Sequence, residues 1–307
     1  MTAQPATPAS GVGTGVRPGP GPQYTDHFRL GSLYRLWRTG HPYDFSQTYE
    51  LMTRAFGYGA HYVNFGYWPQ GVGTPEAGRE MTWLMGEALG MPEGGRLLEG
   101  GSGLGQTSVD LVERYKLSHS VGMNPCTTQV GFANALAKHR GLAEIINHRI
   151  CDATEEVYTL DAGTYDGAIA VECIGIFPDP KRFLAGAHRA LRSGGRVCFT
   201  VVTTPKPAGW FQHNIGSLFF GTRARPPQWW IEALEGAGFV NVREQDITQE
   251  VFPPMIEVVR KNLCEQPDLR RKAGPAADLA IKALIDNADR AVQNGTMAYE
   301  MFVAEKP

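Results

Sequence analysis

The sequence predicts an α/β class fold: a doubly wound, mostly parallel seven-stranded sheet with helical cap additions. Three observations point there. From residue 96 onward, short apolar runs of strand length alternate with longer runs of helical periodicity. The first of these strands, Arg96-Leu97-Leu98-Glu99-Gly100, feeds a glycine-rich turn that opens a helix. Repeated strand and helix units of this length build parallel βαβ crossovers, which place ligands at the carboxyl ends of the strands.

Residues 1–22 are dominated by Gly, Pro, Ala and Thr, bury too little apolar surface to offset ordering entropy, and are expected to be a disordered tail. Residues 23–90 read as a helical arm and lid. A short helix over 24–37 carries Phe28, Leu33, Leu36 and Trp37, and a second over 44–56 is capped by Asp44. The Gly- and aromatic-rich loop GYGAHYVNFGYW follows, then a helix over 76–89.

Residues 91–307 form the core domain. Its strands are expected at 96–100, 120–124, 146–152, 165–172 and 196–202, with helices after the first, second and fourth and a turn, RSGG, before the fifth. After Thr203 comes a long aromatic-rich connection. The helix QWWIEALEGAG, a strand over 240–248, a helical insertion near 251–295 and a last strand around 296–305 complete the chain.

A net charge of −2 without any Lys/Arg-rich run argues against a nucleic-acid partner. No apolar run approaches the roughly 20 residues of a membrane helix. The N-terminus lacks the basic start and apolar stretch of a secretory signal. Five scattered cysteines, Cys126, Cys151, Cys173, Cys198 and Cys264, fit a reducing, cytoplasmic setting as mostly buried small hydrophobes. They are not spaced as zinc ligands. The apolar stripe of the arm suits packing on the pocket mouth, on a second subunit in a homo-oligomer, or on its own domain.

The turn Glu99-Gly100-Gly101-Ser102-Gly103-Leu104-Gly105 can be a ligand cradle or simply a tight turn. A dinucleotide fingerprint begun at Gly101 would need glycine at 106, where Gln106 stands, and an acid ending the second strand, where Asn124 stands. NAD and nucleotide-sugar enzymes are thereby disfavoured. Asn124 and Gln129 can hydrogen-bond a ribose diol, although Asn124 also suits a helix cap. Asp152 after the third strand is a ligand acid or an N-cap.

In combination, E-x-G-x-G-x-G at 99–105, Asn124 with Gln129, and Cys151-Asp152-Ala153 resemble the cofactor motifs of class I S-adenosylmethionine-dependent methyltransferases. The nearest pattern is that of small-molecule enzymes of the sterol, tocopherol and prenylated-indole type. The likeness runs from about Tyr43 to Phe239 and is strongest over 97–200. It implies a Rossmann-like fold and S-adenosylmethionine as cofactor, with S-adenosylhomocysteine as product and no metal. It further implies that Gly101 and Gly103 lie along the methionine part and that Asn124 and Gln129 meet the ribose. Asp152 and Ala153 would meet the adenine, with Tyr67, Trp68, Glu99, Gln106 and Glu172 as further cofactor contacts.

Many relatives carry a histidine in the loop after strand four, two residues before Pro-Asp; here that position is Ile176. Its absence departs from base-assisted O-methylation. Aromatic residues Tyr62, Phe65, Tyr67, Trp68, Trp210, Phe211, Phe219 and Phe220 sit in loops expected near the pocket mouth. They can stabilise a cation, while Trp229 and Trp230 fit a helix core. Phe65, Trp68, Ile176, Trp210, Phe211 and Phe219 are therefore the candidate contacts to a small lipophilic substrate. Carbon methylation of a prenyl group through a carbocation, with cyclisation open to it, follows from the missing base. Glu172 and His213 are the candidate proton acceptors, each also readable as a surface residue. O- or N-methylation, and a non-catalytic cofactor-binding protein, stand as alternatives.

Overall fold

In the computed structural model the described residues are 61–74, 76–206, 224–265, 282–283 and 285–307. The tail, the arm helices at 24–37 and 44–56, and the connection holding Trp210, Phe211, His213, Phe219 and Phe220 lie outside them. One seven-stranded sheet has the order β3-β2-β1-β4-β5-β7-β6. Its strands are β1 (Arg96–Gly100), β2 (His119–Asn124), β3 (Ile146–Ile150), β4 (Tyr165–Val171), β5 (Leu191–Thr203), β6 (Val240–Asp246) and β7 (Ala298–Glu305).

The first five strands pair in parallel, while β7 runs antiparallel between β5 and β6. The third strand stops at Ile150, two residues before the expected end, because Asp152 caps a helix there. The chain winds outward from β1 to β3 and then returns to β4 on the other side of β1. The switch point therefore falls between β1 and β4, where doubly wound sheets open their ligand crevice.

Period-two alternation sends each strand's side chains to two cores. Leu97, Cys198, Tyr299, Met301 and Val303 join one face, and Leu98, Val197, Phe199, Phe302 and Ala304 the other. The first face is covered by α1 (Ala77–Leu89), α2 (Gln106–Tyr115) and α7 (Thr248–Glu265). The second is covered by α4 (Ala153–Glu156), α5 (Pro180–Ala190) and α6 (Pro227–Gly236), while α3 (Thr127–His139) packs beside β3 with Ala137 in the first core.

Met81 and Met85 of α1 are fully buried, so this helix belongs to the sheet's own core layer rather than to a separate arm. Trp230 is likewise core, packed 5.3 Å from Phe199 between ring centres. Cys173 and Cys198 are buried as expected, but Cys126 and Cys151 are half-buried and Cys264 is exposed. Among the described residues no helix is long and apolar enough to cross a membrane.

The expected helical insertion is seen at both ends, in α7 and in a helix over 285–293. Inside α7 stand Pro253 and Pro254. Proline has no N–H, so the carbonyls four residues earlier, on Gln249 and Glu250, lose their helical donors. The Glu250 carbonyl is taken instead by the Trp68 backbone N–H at 2.8 Å. A sequence irregularity in α7 thus becomes the docking point for the segment over 61–74.

Pro254→Ala restores a competing donor within the helix. Hydrogen exchange at the Trp68 amide is then expected to quicken by about fivefold, the equivalent of about 1 kcal/mol for one hydrogen bond. Unchanged exchange at Trp68 would show that the docking does not depend on the proline.

Candidate active site

The glycine turn sits at the carboxyl end of β1, pinned from below. Gly101 and Ser102 both donate backbone N–H bonds to the Met123 carbonyl of β2, at 2.8 and 3.1 Å. Gly101 and Gly103 have φ of 69° and 50°, and Gly105 caps α2 with φ of 82°. The two central glycines differ in what they protect. A Cβ on Gly101 would overlap the Cys173 sulfur, whereas one on Gly103 would meet only Val63, at 3.7 Å. Gly101 serves close packing against the segment just past β4. Gly103 keeps open the gap between turn and lid.

Glu99 and Gln106 also turn inward. Glu99 is 2% exposed and accepts a hydrogen bond from Ser108, while Gln106 donates to Asp110 Oδ1 at 2.8 Å. These two hydrogen bonds brace the first turns of α2 from inside. Burial pushes the Glu99 carboxyl up to about 8, opposed by the Ser108 bond. Beneath the turn lies His148, which the sequence reading did not single out. It is buried, a Cβ on Gly105 would lie 2.9 Å from its Nε2, and burial holds its imidazole down to about 4.

Asn124 is fully committed. Its Nδ2 donates to Gln129 Oε1 at 2.9 Å and to the Gly103 carbonyl at 3.3 Å, and its Oδ1 accepts from Cys126 N–H at 3.0 Å. It orients its neighbours instead of offering a free group. Gln129 keeps a buried Nε2 without a partner among the described residues. Asp152 is exposed; its Oδ1 accepts from the Thr154 N–H and hydroxyl at 2.9 and 2.8 Å, and Oδ2 accepts none among the described residues. Ala153 beside it is buried. The open space at Gly103, the Gln129 amide and the second Asp152 oxygen lie at the ends of β1, β2 and β3 in turn. That sequence fits an elongated ligand with a small polar end, a diol and an aromatic amine.

The lid over 61–74 closes the other side. Tyr62 donates its hydroxyl to Asp110, with Arg79 3.3 Å from the same oxygen, and its ring fills the space above Gly78, where a Cβ would stand 2.6 Å away. Trp68 is buried with its indole N–H on the Phe65 carbonyl at 2.9 Å, and Tyr67 is half-buried.

Glu172, just past β4, holds a left-handed φ of 57° that costs a non-glycine residue about 1–2 kcal/mol. Its Oε1 accepts from the Phe65 backbone N–H and from the Tyr299 hydroxyl, both at 2.6 Å. Burial pushes this carboxyl up to about 8, with the two hydrogen bonds opposing. Phe65, Phe252 and Tyr299 back it as an apolar wall with ring centres 5.8 to 6.1 Å apart. Ile176, half-buried, ends the turn that follows. His188 sits at the far end of α5 against Phe239, away from the crevice. Tyr299 and Asp110 were missed because nothing local marks them; only pairing across the sheet and between helices brings them here.

The Glu99 shift has a stability consequence. The folded state keeps its proton up to about pH 8, whereas the unfolded chain releases it near 4.5, the ordinary value for a glutamate. The contribution is therefore full below pH 4.5 and is lost as pH rises through about 8. Glu99→Gln should gain stability over the parent as pH is raised from 5 to 9, at roughly 2–4 °C in Tm per kcal/mol for a chain of this size. A pH-independent difference in Tm between the two proteins would refute the assignment.

A methyltransferase domain model matches residues 98–199, which spans β1 to most of β5. The erythromycin 3''-O-methyltransferase of Saccharopolyspora erythraea is 25% identical over 217 residues, 67% of this chain and 70% of that protein. The S-adenosyl-L-methionine-dependent Diels-Alderase iccD of Talaromyces variabilis is 25% identical over 225 residues, 67% of this chain and 73% of that protein. Among solved structures, the geranyl diphosphate C-methyltransferase of Streptomyces coelicolor superposes with a TM-score of 0.68 at 15% identity, covering 94% of this chain and all of that one. The matched segment takes in five of the seven strands and the glycine turn, and over it the chain carries a methyltransferase domain similar to those of natural-product enzymes.

Proposed function

We propose that the enzyme methylates a small lipophilic metabolite, at a carbon of a prenyl or other isoprenoid group. The observation that carries this reading is the Glu172 carboxylate, set at the switch point against Phe65, Phe252 and Tyr299, with Ile176 where a histidine base would stand. An electron-rich alkene needs no deprotonation before attack, so an apolar wall and a late proton acceptor suffice.

S-adenosylmethionine, when bound, supplies a methyl group on a positively charged sulfur. The space kept by Gly103 takes its methionine portion, Gln129 Nε2 addresses a ribose hydroxyl, and Asp152 Oδ2 accepts from the adenine amine. The alkene's electron pair would form the new C–C bond as the sulfur–methyl bond breaks and its electrons return to sulfur, leaving the neutral thioether S-adenosylhomocysteine and a carbocation in the acceptor. Glu172 then takes the adjacent C–H proton, and that bond's electrons restore an alkene or close a ring. Aromatic faces near such a cation are worth about 0.5–2 kcal/mol each. With its carboxyl raised to about 8, Glu172 gains its charged form as pH rises through that value.

O-methylation is the second reading, favoured by the erythromycin O-methyltransferase among the relatives. Glu172 would then take the hydroxyl proton before attack, or His213 would. A protein that holds the cofactor without transferring methyl is a third, and the Diels-Alderase among the relatives keeps it in view.

Asp152→Ala should weaken S-adenosylhomocysteine binding by about 1.5–3 kcal/mol, the range for a hydrogen bond to a charged group. Calorimetry giving parent affinity would remove Asp152 from the adenine site. For the chemistry, a pool of lipophilic metabolites incubated with S-adenosylmethionine should contain a species heavier by one methyl, and NMR should place that methyl on carbon. For that product His213→Ala should leave the rate within a few-fold, and Glu172→Gln should abolish the rise in rate toward pH 8. A methyl found on oxygen, with a loss of order 10² or more in His213→Ala, would replace the carbon reading by the second.

A further inference from the structure

Glu172 divides its two oxygens unequally. The Phe65 N–H and the Tyr299 hydroxyl both fall on Oε1, at 2.6 Å each. Among the described residues Oε2 accepts no hydrogen bond, yet it is absent from the buried polar atoms without a partner, and the residue is only half-buried. One oxygen is therefore consumed inside the protein, and the other reaches the accessible side.

The two donors differ in origin. Phe65 offers a backbone group of the lid, which no substitution of its side chain other than proline removes. Tyr299 comes from β7, 127 residues further along the chain than Glu172. The antiparallel insertion of β7 beside β5 sets Tyr299 opposite Val202, and its phenol oxygen lies 3.1 Å from Thr200 Oγ1. Thr200 in turn accepts the backbone N–H of Glu172 at 3.2 Å. Main chain and carboxylate of Glu172 are thus tied to the same pair of hydroxyls, which fixes the side-chain torsions despite the left-handed backbone. Tyr299 is itself immobilised, fully buried with its ring between Phe65 and Phe252.

We infer that Tyr299 is the positioning residue of the Glu172 carboxylate, occupying Oε1 so that Oε2 alone is presented to the acceptor's proton. The inference rests on the reading of Glu172 as proton acceptor. In the step concerned the acceptor's proton moves to Oε2 while the electrons of its former bond stay with the acceptor, and Tyr299 keeps its own proton throughout. A hydrogen bond to the charged form favours that form, so the phenol also holds the carboxyl lower than burial alone would.

The test is a pH titration of the Glu172 carboxyl by carbon NMR on full-length protein labelled at glutamate, saturated with S-adenosylhomocysteine, the signal being assigned by its loss in Glu172→Gln. Tyr299→Phe keeps the ring packing and removes the donor; the midpoint should rise by about 0.5 to 1 pH unit, a three- to tenfold gain in proton affinity. Site-specific 3-fluorotyrosine at 299, a more acidic donor, should lower the midpoint. It provides the decisive reading if Tyr299→Phe does not fold. An unmoved midpoint, or shifts of the same sign in both variants, overturns the inference. The reading beneath it fails separately: if Glu172→Gln methylates the acceptor found in the product screen at the parent rate, Glu172 is not the proton acceptor, whatever its titration shows.

Discussion

Everything at the crevice depends on how closely the turn after β1 approaches the end of β4. There is no room for a side chain at Gly101, because its Cβ would overlap the Cys173 sulfur, and that thiol donates to the Gly100 carbonyl at 2.8 Å. The contact welds the glycine turn to the segment that carries Glu172, so the turn and the carboxylate are held in one frame. Burial also makes this cysteine unreactive: its thiol is pushed well above its ordinary value. A sulfur here acts as a spacer of the right size, and the glycine next to it as the matching gap.

From that frame the lid is attached by main chain more than by side chains. Its backbone donors at Phe65 and Trp68 go to the Glu172 carboxylate and to the Glu250 carbonyl that the prolines of α7 leave without a helical partner. Tyr62 on Asp110 forms a third anchor, inside, where burial raises both groups and the shared hydrogen bond with Arg79 offsets part of the cost. Buried polar groups of this kind are expensive unless each is satisfied. Their concentration along one edge of the crevice therefore specifies a single closed arrangement of lid and core.

The chemistry follows from what this arrangement excludes. Methyl transfer from a sulfonium requires alignment and a dry site before it requires a base. Here the rings behind Glu172 are apolar, the His148 imidazole is buried beneath the glycine turn, and the carboxylate is tuned upward by its surroundings. A carboxyl poised near neutrality can accept a proton and surrender it again within a turnover, which a carboxyl at its ordinary value does poorly.

The sequence by itself determined the winding of the sheet, because strand and helix periodicities and the glycine turn are local signals that survive without knowledge of packing. The strand and helix limits from Arg96 to Ala190 agree with the structure to within a few residues, whereas β5 begins at Leu191 and takes in the expected RSGG turn, and the switch point follows from the alternation. It also named the ends of β1 to β4 as the site, since motifs at strand termini are set by short-range backbone needs. What a side chain does at such a position was beyond its reach. Glu99, Gln106 and Asn124 all occupy motif positions, yet each is committed to a neighbour inside the fold, to Ser108, Asp110 and Gln129 respectively. Only the tertiary structure decided that Tyr299 would stand beside Glu172, because that meeting needs β7 to insert antiparallel next to β5. Strand order is fixed by the burial of both sheet faces at once, a property of the whole chain that no window of sequence contains.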